Sequence, residues 1–133
     1  NIMQKSVGIV RSGEELQIGL DKLDEIKSKI EKVYAHASAQ YNPGWNEALD
    51  LRNLIVTAEA VTRSAIIREE SRGAHTRLDF EGEREEGLNY NIIIKKTEQG
   101  MFAKKIKRQP PPQELEIIAH ASLEELECRK VET

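Results

Sequence analysis

Apolar residues recur at helical spacing along the first part of the chain. Leu16, Leu20, Leu23, Ile26, Ile30 and Val33 follow one another at intervals of three and four in an otherwise charged stretch. That spacing puts them on one stripe of an α-helix. Ser12-Gly13-Glu14-Glu15 precedes the stripe as a capping box. The Ser12 hydroxyl can accept from the Glu15 amide, and the Glu15 carboxylate can reach back to the Ser12 amide. The pattern predicts a helix over 12–34, ending between Tyr34 and Gln40. Ile2 to Val10 is a shorter apolar segment that reads as the end of a helix begun upstream.

Asn42-Pro43-Gly44 breaks the pattern, and either Asn42 with Pro43 or Asn46 can cap the next helix. That helix is predicted over 45–72, roughly 40 Å at 1.5 Å per residue. One face carries Leu51, Leu54, Ile55, Ala58, Val61 and Ala65, and a second carries Val56, Ala60 and Ile67. Apolar residues on two faces predict a helix covered on both sides. Glu59 and Arg63 form a favourable pair on the remaining face, and Gly73 is the expected C-cap. Trp45 and Tyr41, beside the turn, are expected to plug the core.

After an acidic, glycine-containing stretch over 81–87, expected as a mobile loop, the period changes. Tyr90, Ile92 and Ile94 alternate with Asn91, Ile93 and Lys95. Glu98-Gln99-Gly100 then supplies a turn, and Met101 to Lys107 returns, so a β-hairpin is predicted over 88–107. Pro110-Pro111-Pro112 is a stiff spacer before two short helical segments, the second opening with another capping box at Ser122. The fold expected is mainly α: an antiparallel three-helix bundle over about 1–80, with an appended β-hairpin and a tail over about 81–133. The short 34–43 connection argues for antiparallel neighbours.

Composition narrows the function classes. A length of 133 residues suits one domain, and a net charge of −3 with 32% charged residues gives no overall pull toward nucleic acid. Cys128 is the one cysteine, so there is no internal disulfide. No run of about 18 apolar residues is present, so no direct membrane insertion is expected. The first residues lack a signal peptide, and position 1 is not methionine, as in a fragment of a longer protein.

Chemistry is concentrated in one place. Gly8, Gly13 and Gly19 are too scattered for a dinucleotide turn, and His36, His75 and His120 lack partners at metal-ligand spacing. Cys128 is read as an incidental thiol. Lys95, Lys96, Lys104, Lys105, Lys107 and Arg108 form a basic cluster without aromatic interleaving, read as lysines that protect an exposed hairpin edge. The dense polar string from Arg68 to Arg77 is the candidate site. It could place His75 as a general acid or base, with Arg72 or Arg77 clamping a carboxylate. It could instead anchor a helix end, the charges pairing with one another or with a neighbouring domain and His75 capping carbonyls. One helix terminus has no pocket of its own, which favours anchoring.

Several linked motifs carry a resemblance. They are Met3-Gln4 with Val7-Gly8 and Arg11, then Asn42-Pro43-Gly44-Trp45, then Glu59-Ala60-Val61-Thr62-Arg63-Ser64-Ala65. They close with Glu70-Ser71-Arg72-Gly73-Ala74-His75, Arg77 and Asp79-Phe80. Together they resemble the C-terminal helical domain of succinate dehydrogenase and fumarate reductase flavoprotein subunits, over about 2–112. L-aspartate oxidase is similar but has Leu where this chain has Ala74; residues after Gln113 match no motif.

The resemblance implies a spectrin-repeat-like three-helix bundle packed against an FAD-binding domain. It implies a parent enzyme that interconverts succinate and fumarate, with FAD and every catalytic residue outside this chain. It further implies a cytoplasmic location, peripheral to the membrane, in a complex with an iron–sulfur subunit. The isolated chain is then expected to be inactive and to bind no metal or cofactor. Arg68, Glu70, Arg72, His75 and Arg77 are expected to form a docking surface for the flavin domain, with few partners inside the isolated chain. A stand-alone helical interaction module is the alternative from another class.

Overall fold

The computed structural model describes residues 1–130. Two long helices form its centre: α2 (Gly13–Ile30) and α3 (Pro43–Ile67). A short helix, α1 (Ile2–Ser6), packs on α2. The core divides in two along these helices. Leu23, Ile30, Ile55 and Ala58 form one cluster, and Val7, Leu16 and Ala65 the other, with Met3 packed against both.

The apolar stripe explains α2. Leu16, Leu20, Leu23 and Ile30 are all buried. The capping box at its start is complete, with the Ser12 side chain accepting from Glu15 and the Glu15 carboxylate accepting from the Ser12 amide. The helix stops at Ile30, short of the expected Tyr34. The amides of Lys32 and Val33 turn back to the carbonyls of Lys29 and Ile30, and Val33 lies exposed beyond the stripe. Asn42 is the N-cap of α3 and Pro43 its first residue. Tyr41 and Trp45 are not core plugs: their relative exposures are 95% and 46%. Tyr41 has a left-handed backbone, φ 58°, in the turn just before the N-cap of α3.

Glu59, expected to pair with Arg63 on the remaining face of the helix, does so and is 2% exposed between α2 and α3. Lys27 Nζ approaches one of its oxygens at 2.6 Å and Arg63 Nε the other at 2.8 Å. The two long helices are therefore keyed together by a buried carboxylate as well as by apolar contact.

The chain forms two small sheets. β1 (Val10–Arg11) pairs in parallel with β2 (Thr76–Arg77), a join that the sequence pattern did not announce. β3 (Tyr90–Thr97) and β4 (Gly100–Lys107) form the expected antiparallel hairpin, with Thr97 opposite Gly100 across the two-residue turn. The hairpin packs on α3. In place of three full helices there are two long ones with a five-residue third member, α1, packed on α2. Beyond the prolines, α4 (Gln113–His120) buries none of its residues, and α5 (Leu123–Lys130) follows it. The Cys128 side chain lies outside the described residues.

Candidate functional site

The long helix was expected to run to Arg72 and end on Gly73. It ends at Ile67, with Arg68 already extended at φ −82°, ψ 102°. The cause lies ten residues further along. Arg77 is 3% exposed, and its Nη1 donates to the carbonyls of Ala65 at 2.8 Å, Ile66 at 3.2 Å and Arg68 at 3.2 Å. These are among the carbonyls that a helix end leaves without amide partners. One guanidinium therefore caps α3. His75 Nε2 lies 3.2 Å from the Arg68 carbonyl oxygen, where a protonated Nε2 donates. Gly73 sits at φ +57° in a tight turn closed by reciprocal backbone bonds between Arg72 and His75.

The other side of the Arg77 fork meets Asp79: Nε to Oδ1 at 2.8 Å and Nη2 to Oδ2 at 2.6 Å. Oδ2 also accepts from the Gly13 amide at 3.0 Å. Gly13 opens α2, so a carboxylate lies on the positive end of that helix. Hydrogen bonds from Arg77 hold the Asp79 carboxyl far below its ordinary range, against burial, and the Gly13 amide adds to the effect. Arg77 and Asp79 thereby join the end of α3 to the start of α2.

Glu70 is the second centre, 1% exposed. Arg68 pairs with its Oε1. Its Oε2 accepts from Arg72 Nε at 3.2 Å, Arg72 Nη2 at 3.1 Å and the Arg84 amide at 3.0 Å. Burial alone would raise this carboxyl, but bonds from Arg72, the Arg84 amide and Arg68 bring it down to about 2. Arg72 continues to Glu83 at 2.8 Å and to the Arg84 carbonyl at 2.9 Å. Phe80 lies between two guanidinium groups, Arg77 at 4.8 Å and Arg84 at 5.0 Å from the ring centre. The stretch expected as a mobile loop is therefore tied down. The Ser71 amide donates to Gly82, Glu85–Leu88 forms a 3-10 turn, and Gly87 is buried against Glu70.

The structure brings Arg68, Glu70, Arg72, His75 and Arg77 into one loop. The expectation that they have few internal partners fails, because the charges satisfy one another and the helix end. Glu70 and Arg77 form the interior of the network, whereas Arg68, Arg72 and His75 reach its rim. Sequence reasoning gave no role to Asp79, Arg84 or Gly87. The spacing of Asp79 two residues after Arg77 was the signal for the first; the other two depend on contacts made only in the fold. Burial lowers the His75 pKa first of all, the Arg68 carbonyl partly opposes this, and the cations Arg11, Arg77 and Arg68 lower it further.

The start of α2 offers a flavin phosphate neither its Gly13 nor its Glu15 amide. The passage from β1 into α2 is the place where a strand–turn–helix could hold a phosphate. Its Gly13 amide is taken by Asp79 and its Glu15 amide by Ser12. Among the described residues there is no metal-ligand cluster and no helix long and apolar enough to cross a membrane.

Comparison with known proteins places this geometry. The family model described as fumarate reductase flavoprotein C-term matches residues 1–120. A fumarate reductase (CoM/CoB) chain of Methanothermobacter marburgensis is 38% identical over 96 residues, covering 72% of this chain and 18% of that protein. L-aspartate oxidase of Yersinia pestis is 38% identical over 74 residues, covering 56% of this chain and 13% of that protein. The solved structure of Mycobacterium smegmatis Sdh1 in complex with UQ1 superposes with a TM-score of 0.82 at 31% identity, over 95% of this chain and 22% of that one. The chain thus spans about a fifth or less of the length of these relatives.

Proposed function

Because this chain belongs to the family of fumarate reductase flavoprotein C-terminal domains, we propose that it is one domain of a larger FAD-dependent oxidoreductase that interconverts succinate and fumarate. Its role in that enzyme is structural. It docks on the flavin-binding domain of the same polypeptide, which holds the FAD and the catalytic groups. The parent assembly also holds an iron–sulfur subunit, and it lies peripheral to the membrane on the cytoplasmic side.

One observation carries the docking reading. Acid–base groups that could catalyse are consumed in the loop's own network, while the face of α3 beside it is left uncovered. Leu54 and Val61, one face of the helix, are 63% and 44% exposed. These residues, with Arg68, Arg72 and His75 at the rim, make a mixed apolar and cationic surface of the kind that buries a partner domain. Glu70 and Arg77 hold that rim in shape from behind.

Full-length protein carrying Leu54→Asp and Val61→Asp tests the reading. It is expected to lose flavin and reductase activity, while the same changes shift the stability of this chain alone by no more than about 0.5 kcal/mol, as exposed substitutions do. Unchanged flavin retention in the full-length variant would refute docking through this face.

A second reading, the corresponding domain of L-aspartate oxidase, draws on the identity to the Yersinia pestis enzyme. Oxidation of L-aspartate, with no turnover of succinate or fumarate by the full-length protein, would select it.

A further inference from the structure

Two adjoining clefts open between the 68–77 loop, the face of α3 and the root of the hairpin, and they share Arg68, His75 and Asn91. Arg11, Arg72 and Arg108 line them as well. Among the described lining residues there is no aspartate or glutamate, although the whole chain has 23 acidic residues against 20 lysines and arginines. Glu70, which pairs with Arg68 and Arg72, lies behind them and lines neither cleft. Arg108 and Arg11 form no ion pair among the described residues. The remaining walls include Ala60, Val61 and Ile92, which are apolar.

Electrostatics within the loop points the same way. Burial disfavours protonation of His75, and the cations Arg11, Arg77 and Arg68 add to the effect. A site whose lining holds two arginines without an ion pair, Arg11 and Arg108, beside apolar groups suits a negative charge carried on an apolar segment.

We propose that this cleft receives the carboxylate of an acidic side chain projecting from the protein surface that docks here, with Arg68 and Arg108 as donors and Asn91 completing the cradle. This deepens the docking reading and rests on it. Arg68 is already held in position by Glu70 and by the Tyr90 ring, 5.2 Å from its guanidinium, so it needs little reorganisation to bind. Arg108 is the better residue to change, because it is exposed and its loss strands no internal partner.

The experiment titrates the full 133-residue chain at low salt with the dipeptide N-acetyl-Glu-Glu-amide. Inorganic phosphate and N-acetyl-Gln-Gln-amide serve as parallel arms. Arginine Nε–Hε and His75 ring resonances report binding. Saturable shifts confined to Arg68, Arg108 and His75, with the His75 pKa rising as the negative charge arrives, are expected from the Glu dipeptide. Arg108→Gln is expected to weaken that binding by about tenfold, one charge-assisted contact. Equal shifts from the Gln dipeptide, shifts spread over Lys95, Lys96 and Lys104, or saturation by phosphate alone would each overturn the proposal. Docking of the flavin-bearing part, unchanged by Arg108→Gln, would also overturn it while leaving the docking reading intact. If docking itself fails, the proposed occupant falls with it, and the titration then reports only whether the cleft binds carboxylates.

Discussion

Glu70 and Gly87 are in contact so close that a Cβ on the glycine would overlap both carboxylate oxygens. The chain needs glycine here because the carboxylate cannot withdraw: Arg68, Arg72 and the Arg84 amide fix it from the other sides. Gly87→Ala should therefore destabilise the chain by about 1–3 kcal/mol, the usual cost of overpacking a rigid site. Urea unfolding of the two proteins measures the difference, and a midpoint within error of the parent would contradict the geometry.

Glu70 also sets an acid limit. Its carboxyl titrates at about 2 in the fold instead of the ordinary 4.5. The unfolded chain thus takes up this proton first as pH falls. The stability that Glu70 contributes is whole above about 4.5 and is lost as pH drops through about 2. Unfolding free energies of the parent and Glu70→Gln, measured across that window, should converge toward the acid end. Parallel curves would show that the carboxylate is not held by its arginines. Asp79 is depressed in the same direction, so some acid sensitivity should persist in the variant.

Arg77 cannot be replaced by lysine without loss. Its guanidinium serves three carbonyls with one nitrogen and Asp79 with two others, a division that a single ammonium cannot reproduce. Arg77→Ala should cost about 3–5 kcal/mol, as when one partner of a buried pair is removed. Arg77→Lys should recover only part of this. Full recovery by lysine, read from thermal melts, would mean that charge alone matters and that the fork does not cap α3.

The pair of long helices offers an asymmetric test. Lys27 and Arg63 side chains are 47% and 30% exposed, whereas the Glu59 carboxylate they hold is 2% exposed. Without Glu59 the cations can turn to water; without the cations, Glu59 is left buried and unpaired. Lys27→Met with Arg63→Met should therefore destabilise more than Glu59→Gln, by about 1–3 kcal/mol, the cost of one unsatisfied buried group. The reverse ranking in chemical denaturation would remove Glu59 as the key between the helices.

Local pattern made the start of α2, its buried stripe and the hairpin legible, because each depends on residues within a few positions of one another. The end of α3 was hidden for the opposite reason. Arg68, Glu69 and Glu70 are sound helix formers, and nothing nearby signals that Arg77 claims the last carbonyls. The Glu59–Arg63 pair was legible from its spacing, but its burial was not, because Lys27, which holds the other oxygen, lies 32 residues away. The polar string was recognised as a site by its density alone. Its interior and its rim could be separated only once the neighbours from 79 to 87 were in place.

The bond between Asp79 and the Gly13 amide spans 66 positions of chain. In kinetic terms it is a late event. The hairpin closes over a two-residue turn within microseconds, and helices α2 and α3 form from local contacts, but closing so long a loop carries an entropic barrier that only preassembled helices can offset. The β1–β2 ladder, tied at the same separation, should accordingly be the last backbone pairing to gain protection during refolding. Pulsed hydrogen exchange would then find the Thr76 and Leu78 amides open after those of β3 and β4 have closed. The charged loop would remain unassembled until the two long helices have met, so its completion marks arrival at the native state.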